Sequence, residues 1–562
     1  MRLRLILLIA GFLVGAVAVL SGPSLTPGSA GLFTDDPAVR KGTVAGAPSP
    51  APSESPDAHA PNADIPDAPD ARTPDAGSPE GDAPEVDAPG DVPDAGRRGV
   101  ETQAPPPPNP LEDAALRERL DGLIAQATLS GPDPLLGLVV VDQHGALRHT
   151  HRGTTTMIPA STQKLLTAAA ALRTLGPDHR YTTRALASGA PAGDGVLAGD
   201  LLLRGSGDPT LATPEFAALD PRRPSTPLAA LADQIAAAGV RRISGRVLGD
   251  AGPFTGDPLP AGWHPRYLTG LDGTRSAGLT VNAGRRLSIV DGQLRGEAAA
   301  DPVLTAATEL VHLLGQRGVT VDGGPGRLPA GTDRDDLRRQ LAAVSSPPLQ
   351  ELLGFMVGAS DNGIADQVFL TVGLEAVGEA TWEGGARGVR AALTDLPLSW
   401  RGVQLADGSG LSRANRVPPA LLAELDLAMS RSRLGEPWAS AMAVVGERGT
   451  LRARLQGTVV DGRARGKTGS LADVRALAGA VLGPGGAAYH FALLANGLDG
   501  PGVQAVRALQ DEVLLALAED LHDCMRAPLP PPSAPPPSAP PGAAPSAPAS
   551  TPPPYELVCE AA

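Results

Sequence analysis

Ser161-Thr-Gln-Lys-Leu-Leu-Thr-Ala-Ala-Ala-Ala-Leu-Arg-Thr-Leu175, entered through Ile158-Pro-Ala160 and stopped by Gly176-Pro177, is the stretch from which the rest of the chain can be read. Its Ala and Leu content and its Gly-Pro terminator predict a helix over 161–175. Ser161 and Lys164 stand one turn apart on that helix, so their side chains share a face. Ser161 also lies at the helix start, where free N–H groups and the helix dipole favour negative charge. The chain contains 47 lysines and arginines, of which only Lys41, Lys164 and Lys467 are lysine. A guanidinium stays charged, whereas a lysine can lose its proton when buried or set beside another cation and then act as a base. Lys41 lies in a low-complexity stretch, which leaves Lys164 and Lys467 as the informative pair. A serine hydroxyl is a poor nucleophile until a neighbour takes its proton, and neutral Lys164 is the candidate base. Taken alone the pattern is weak, because Ser also caps helices.

Two further strings follow in order. Ser360-Asp-Asn362 precedes a helical segment over 364–370 and reads either as a turn and cap or as a site. As a site, Ser360 relays a proton to the leaving amine and Asn362 holds the peptide carbonyl of the substrate. Lys467-Thr-Gly-Ser470 precedes a strand and reads either as a loop or as a cation, a hydroxyl and a glycine that lets substrate approach the sheet edge closely. All three strings occur in this order and use two of the three lysines. Together they predict an active-site-serine enzyme with catalytic Ser161, Lys164, Ser360, Asn362 and Lys467, and with Thr468 and Gly469 binding substrate.

Order begins near Leu111, with an amphipathic helix over 112–127. An apolar strand over 136–141, a Gln143-His-Gly145 turn and a second strand follow. Towards the other end, apolar strands over 476–482 and 487–494 flank Gly483-Pro-Gly-Gly486 as a hairpin, and 503–522 reads as a long amphipathic helix. Strands at both ends with helices between predict one α/β domain around an antiparallel sheet. Nearly 200 residues separate the first two strings. They hold two similar units, 228–243 and 303–321, each a helix ending in Gly-Val and then a strand. Such a stretch is too long for a loop and predicts one or two inserted domains. The boundaries expected are 111–185 and 346–526 for the interrupted domain and 186–345 for the insertion.

The flanks differ in composition. Residues 1–4 carry two arginines ahead of an uninterrupted apolar run over 5–20, which is an export signal or a membrane anchor. Cleavage after Ala18 or Ala30 would release the chain, and retention of the run would anchor it to a membrane. Residues 31–110 are rich in Pro, Ala, Asp and Gly, with Pro-Asp-Ala recurring at Pro56, Pro66, Pro69, Pro74 and Pro93. Fifteen acidic and five basic residues there account for most of the net charge of −14. A disordered tether is expected, and with it neither a basic nucleic-acid face nor an acidic docking surface elsewhere. Residues 527–562 form a Pro-rich tail. The two cysteines, Cys524 and Cys559, predict one disulfide in an exported chain, with two unpaired thiols as the alternative. Neither has ligands at metal spacing, so no metal site is predicted.

The ordered triplet Ser-x-x-Lys, Ser-x-Asn, Lys-Thr-Gly is that of the penicillin-recognising serine acyltransferases. Further strings narrow the resemblance: Gly199-Asp-Leu-Leu-Leu203, Gly205-Ser-Gly-Asp-Pro-Thr210, Leu279-Thr-Val-Asn282, Asp407-Gly-Ser-Gly-Leu-Ser412 and Gly449-Thr-Leu451. Over 111–522 the chain resembles the low-molecular-mass class C penicillin-binding proteins, the D-alanyl-D-alanine carboxypeptidase/endopeptidases. The resemblance implies a transpeptidase/β-lactamase-like α/β fold, an antiparallel sheet with helices on both faces, interrupted by small inserted domains. It implies an extracytoplasmic enzyme in which Ser161 attacks the peptide bond between two D-alanines of a peptidoglycan stem peptide. An acyl-enzyme forms, and β-lactams act as covalent inhibitors. Backbone N–H groups of Ser161 and Ser470 would form the oxyanion hole, and Lys467, Thr468 and Ser470 would bind the terminal carboxylate. No cofactor is implied. The alternatives are a β-lactamase, disfavoured because no Glu-x-x-x-Asn occurs between Asn362 and Lys467, and a non-catalytic wall-binding or β-lactam-sensing protein.

Overall fold

The computed structural model describes residues 110–291, 293–329, 332, 334–522, 524–528 and 555–559. The predicted export segment 1–20, the tether up to residue 109 and the tail residues 529–554 lie outside the described residues. Among the described residues no helix is long and apolar enough to cross a membrane.

The chain enters through α1 (Pro110–Gln126), β1 (Leu135–Asp142) and β2 (Leu147–His151), then α2 (Gln163–Thr174). Ser161 falls in a tight 3-10 turn, Ala160–Thr162, just before α2 rather than within it. Nearly all of α2 is buried, which its run of four alanines permits because small side chains let other elements pack around a helix in mid-core. Gly176, at φ +82°, ends the segment as the terminator predicts.

The insertion is a separate layer. Its five-stranded sheet uses β3 (Thr182–Ala187), β4 (Leu201–Arg204), β5 (Val247–Asp250), β6 (Pro325–Arg327) and β7 (Arg339–Ser345), in the order β6-β5-β4-β3-β7. The boundary expected after residue 185 falls inside β3, because the sequence gives no turn signal there. Helices α3 (Leu228–Ala237) and α4 (Pro302–Gln316) bury their apolar stripes, Leu228, Leu231 and Ile235 with Val303, Leu310 and Leu314, in one core with β3, β4 and β7. Both helix–strand units read from the sequence are present. Their strands, Arg242–Ile243 and Thr320–Val321, pair in parallel beside Val196–Leu197.

The chain returns through α5 (Leu349–Gly358), α6 (Asn362–Val377), α7 (Trp382–Ala392) and α8 (Pro419–Arg431). It closes with β8 (Ala443–Val444), β9 (Ala464–Leu471), β10 (Val474–Leu482), β11 (Ala488–Asn496) and α9 (Gly500–Leu521). The main sheet has the order β8-β9-β10-β11-β1-β2 and is antiparallel throughout. Period-2 alternation sends its side chains into two cores. Val139, Val141, Ala476, Ala478, Ala492 and Leu494 face α2 and the α5–α8 group. Leu138, Val140, Leu477, Phe491 and Leu493 face α1 and α9.

The C-terminal segment is not wholly a tail. Cys524–Pro528 and Tyr555–Cys559 pair as antiparallel strands, and Cys524 stands directly opposite Cys559. The Pro-rich composition hid a short stretch, Tyr-Glu-Leu-Val-Cys, whose residues suit a pleated strand.

Candidate active site

The three strings meet where α2, α6 and β9 converge. Lys164 is fully buried, and its Nζ lies 3.0 Å from Ser161 Oγ, 2.6 Å from Asn362 Oδ1 and 2.7 Å from the Ser409 carbonyl. The last two partners are oxygens that can only accept. A neutral amine therefore donates its two hydrogens to them and is left with its lone pair for the Ser161 hydroxyl. Burial lowers the Lys164 pKa to about 8, against the opposing pull of Asp366, Asp407 and Asp361. That brings the free base within reach near neutrality, as a general base requires.

The backbone around Ser161 and Asn362 is held in unusual conformations. Ala160, immediately before Ser161, has φ +46°, and Ser360 has φ +65°. Non-glycine residues hold such angles only when their surroundings over-determine them. One such surrounding is the 407–412 turn, whose Gly410 (φ +85°) passes so close that a Cβ there would sit 1.9 Å from the Ala160 carbonyl oxygen.

Asn362 begins α6. The residue before it, Asp361, caps that helix through the Ile364 N–H at 2.8 Å. Burial pushes the Asp361 carboxyl pKa up, but the charge and hydrogen bond of Arg223 and the Ile364 N–H outweigh it and hold the group below the usual range. The amide of Asn362 is oriented from both ends. Lys164 occupies Oδ1, and Nδ2 donates to the Asp272 carbonyl at 2.7 Å. One amide N–H is left for a substrate carbonyl.

Lys467 is fully buried on β9 and donates to the Thr468 carbonyl at 2.8 Å. Burial, and then the charge of Lys164, push its pKa well below the ordinary lysine value. Thr468 Oγ1 donates to Thr450 Oγ1 at 2.9 Å. Gly469 lies against the 3-10 turn, and a Cβ there would be 2.8 Å from the Pro159 carbonyl oxygen. Ser470 is exposed. On the outer side of β9 only Arg465 and Gly466 have strand partners, so from Lys467 onward that edge is unpaired among the described strands.

Direct contact thus joins Ser161, Lys164 and Asn362, with Ser360 two residues from Asn362 and Lys467–Ser470 along the facing strand. Several further residues escaped the sequence-based prediction. Ser409 supplies a carbonyl to Lys164. Asp407 accepts from the backbone of Gly410 and Ser412, from Asn415 and from Trp263. The insertion also sends Arg223, Trp263 and the Asp272 carbonyl to Asp361, Asp407 and Asn362 of this cluster. The Asp407–Ser412 and Gly449–Leu451 strings were visible in the sequence without a role. Arg223, Trp263 and Asp272 carried no local signal.

The chain matches the model of the D-Ala-D-Ala carboxypeptidase 3 (S13) family over residues 116–300 and 296–517. It is 31% identical over 476 residues to a D-alanyl-D-alanine carboxypeptidase of Actinomadura sp. (strain R39), covering 72% of this chain and 84% of that one. It is also 31% identical over 423 residues to the carboxypeptidase DacB of Mycolicibacterium smegmatis, covering 72% and 88%. Among solved structures it is similar in fold to penicillin binding protein 4 of Haemophilus influenzae. The TM-score is 0.60 at 23% identity, over 70% of this chain and 99% of that one. The same protein complexed with a β-lactam gives a TM-score of 0.56 at 22% identity, over 70% and 99%.

Proposed function

The chain belongs to the D-Ala-D-Ala carboxypeptidase 3 (S13) family, and from that premise we propose how its own residues carry the reaction. It is a serine-type D-alanyl-D-alanine carboxypeptidase acting on peptidoglycan stem peptides outside the cytoplasm. Neutral Lys164 takes the Ser161 proton as Oγ bonds to the carbonyl carbon between the two D-alanines. The resulting oxyanion is received by the backbone N–H groups of Ser161 and Ser470, a type of contact worth about 3 kcal/mol per donor. Collapse breaks the C–N bond. The leaving amine takes its proton from Lys164 through the Ser360 hydroxyl, and D-alanine departs. Water then attacks the Ser161 ester, its proton passes to Lys164, and the regenerated Ser161 hydroxyl recovers a proton as the shortened peptide leaves.

The observation that carries this reading is the three-way contact of Lys164 Nζ with Ser161, Asn362 and the Ser409 carbonyl. The unpaired outer edge of β9 from Lys467 onward supports docking of an extended peptide as an added strand. Lys467 and Thr468 then meet the terminal carboxylate, and a carboxylate beside Lys467 favours its protonated form. β-Lactams acylate the same Ser161. The test is fluorescent-penicillin labelling alongside D-alanine release from a stem pentapeptide. Both occur in the wild type and both are lost in Ser161→Ala; labelling that persists in the variant contradicts the assignment.

The flanks complete the proposal. The apolar run 5–20 anchors the chain to the membrane when it is not cleaved, and the 31–110 segment serves as a spacer to the wall. The transpeptidase-like domain is formed by residues 111–181 and 346–526 and is interrupted by the insertion 182–345. Cys524 and Cys559 form a disulfide. Directly opposed residues of an antiparallel pair have Cα atoms about 4.5–5.5 Å apart, within the roughly 4.4–6.8 Å that a disulfide spans.

A further inference from the structure

Asp366 lies one turn beyond Asn362 on α6, a spacing that places both on the same helix face. It is 2% exposed. Its Oδ1 accepts the Gly408 N–H at 3.1 Å and the Ser409 N–H at 2.9 Å. The carbonyl of that same Ser409 receives Lys164 Nζ at 2.7 Å. Helix α6 therefore reaches Lys164 by two routes, directly through Asn362 and indirectly through Asp366 and Ser409. On its other side the turn is fixed by Thr167, whose Oγ1 donates to the Gly408 carbonyl at 2.8 Å.

The two buried carboxylates of this region are supported differently. Asp407 spreads four donors over both oxygens: the Gly410 and Ser412 N–H groups, Asn415 Nδ2 and Trp263 Nε1. Both hydrogen bonds of Asp366 named above fall on one oxygen and come from the two residues that lead to the Lys164 contact. The charged groups around Asp366 and Lys164 are Asp407 in the turn, Asp361 at the start of α6 with its partner Arg223, and Lys467 on β9. Burial and the charge of Asp407 raise the Asp366 pKa well above the usual carboxylate range, against the pull of Lys164. Asp366 in turn is the largest of the charges that oppose the depression of Lys164.

We propose that Asp366 is a positioning residue for the acylation step: through Ser409 it fixes the Lys164 amine against Ser161, and where it is ionised its charge favours the protonated form of that amine. The proposal rests on the assignment of Lys164 as the base for Ser161. Charge and geometry are separable by substitution. Asp366→Asn keeps an acceptor oxygen for the two N–H groups and removes the charge. Asp366→Ala removes both. Asp366→Glu keeps the charge and moves the oxygens by one methylene.

The experiment is the pH dependence of fluorescent-penicillin acylation, with a thermal melt of each variant. In Asp366→Asn the acid limb moves to lower pH by about one unit, since a nearby carboxylate no longer holds the proton on Lys164, and the high-pH plateau is largely kept. In Asp366→Ala the plateau falls on the order of 10- to 100-fold, the cost of a misplaced base. In Asp366→Glu the limb stays and the plateau falls; this variant carries the test if Asp366→Asn does not fold. A folded Asp366→Asn with the wild-type limb, or a folded Asp366→Ala or Asp366→Glu with the wild-type plateau, overturns the proposal. A wild-type enzyme that is not labelled at all would instead overturn the assignment of Ser161 and Lys164.

Discussion

The floor of the candidate site, around Lys164, and the wall that the insertion contributes are held by different kinds of contact. On the floor, Lys164 is stripped of water and meets Ser161, Asn362 and Ser409 within 3.0 Å, so its basicity follows from burial. On the wall, Arg223 reaches Asp361 across 138 residues of sequence and Trp263 reaches Asp407 across 144, each retaining some access to solvent. In the proposed mechanism the floor sets the chemistry, because the Ser161 proton moves there. The wall holds the start of α6 and the 407–412 turn in place, so its loss acts on the floor at second hand. Substitutions in the two regions should therefore differ in kind as well as in size.

The largest effect belongs to the floor. Lys164→Arg keeps a positive charge but cannot become a neutral base, and acylation by penicillin should fall by about 10²–10⁴-fold, the usual worth of a positioned base. Lys467→Arg should lose less, because that position needs chiefly a cation. Equal acylation rates in the two variants would erase the proposed division of labour between the lysines. On the wall, Arg223→Gln removes the partner of the Asp361 cap and should lower stability by about 1–2 kcal/mol, seen as a reduced Tm, with the high-pH acylation plateau within a few-fold of wild type. A plateau that collapses in the folded variant would place Arg223 in the chemistry and blur the contrast. The smallest effect is expected for Trp263→Phe, which forfeits one hydrogen bond among the four to Asp407. It should cost about 1 kcal/mol and leave the acylation plateau within a few-fold of wild type.

The same contrast explains what the sequence revealed. The helix over α2, the β10–β11 hairpin and the closing helix were legible because apolar periodicity and Gly-Pro punctuation are local signals. Ser161, Lys164, Asn362 and Lys467 were legible because a chain this poor in lysine keeps the residue at two places with recognisable neighbours. Asp366 could have been found by noticing that it follows Asn362 by one helical turn. Arg223, Trp263 and the Asp272 carbonyl could not, because a contact across more than 80 residues leaves no periodicity, and the Asp272 contribution is a backbone atom present in every residue type. The short strand Tyr555–Cys559 was obscured by the proline content of the segment that precedes it.

The central claim is that acylation requires Lys164 as a free amine. The most direct measurement is the rate of fluorescent-penicillin acylation of the wild-type enzyme from pH 5 to pH 10, under conditions where substrate binding is not limiting. Because the protonated amine is inactive, the rate should rise about tenfold per pH unit on the acid side and level off above a midpoint near 8, where burial places the Lys164 pKa. A rate independent of pH across that range, or a limb centred at the ordinary lysine value, would contradict the account.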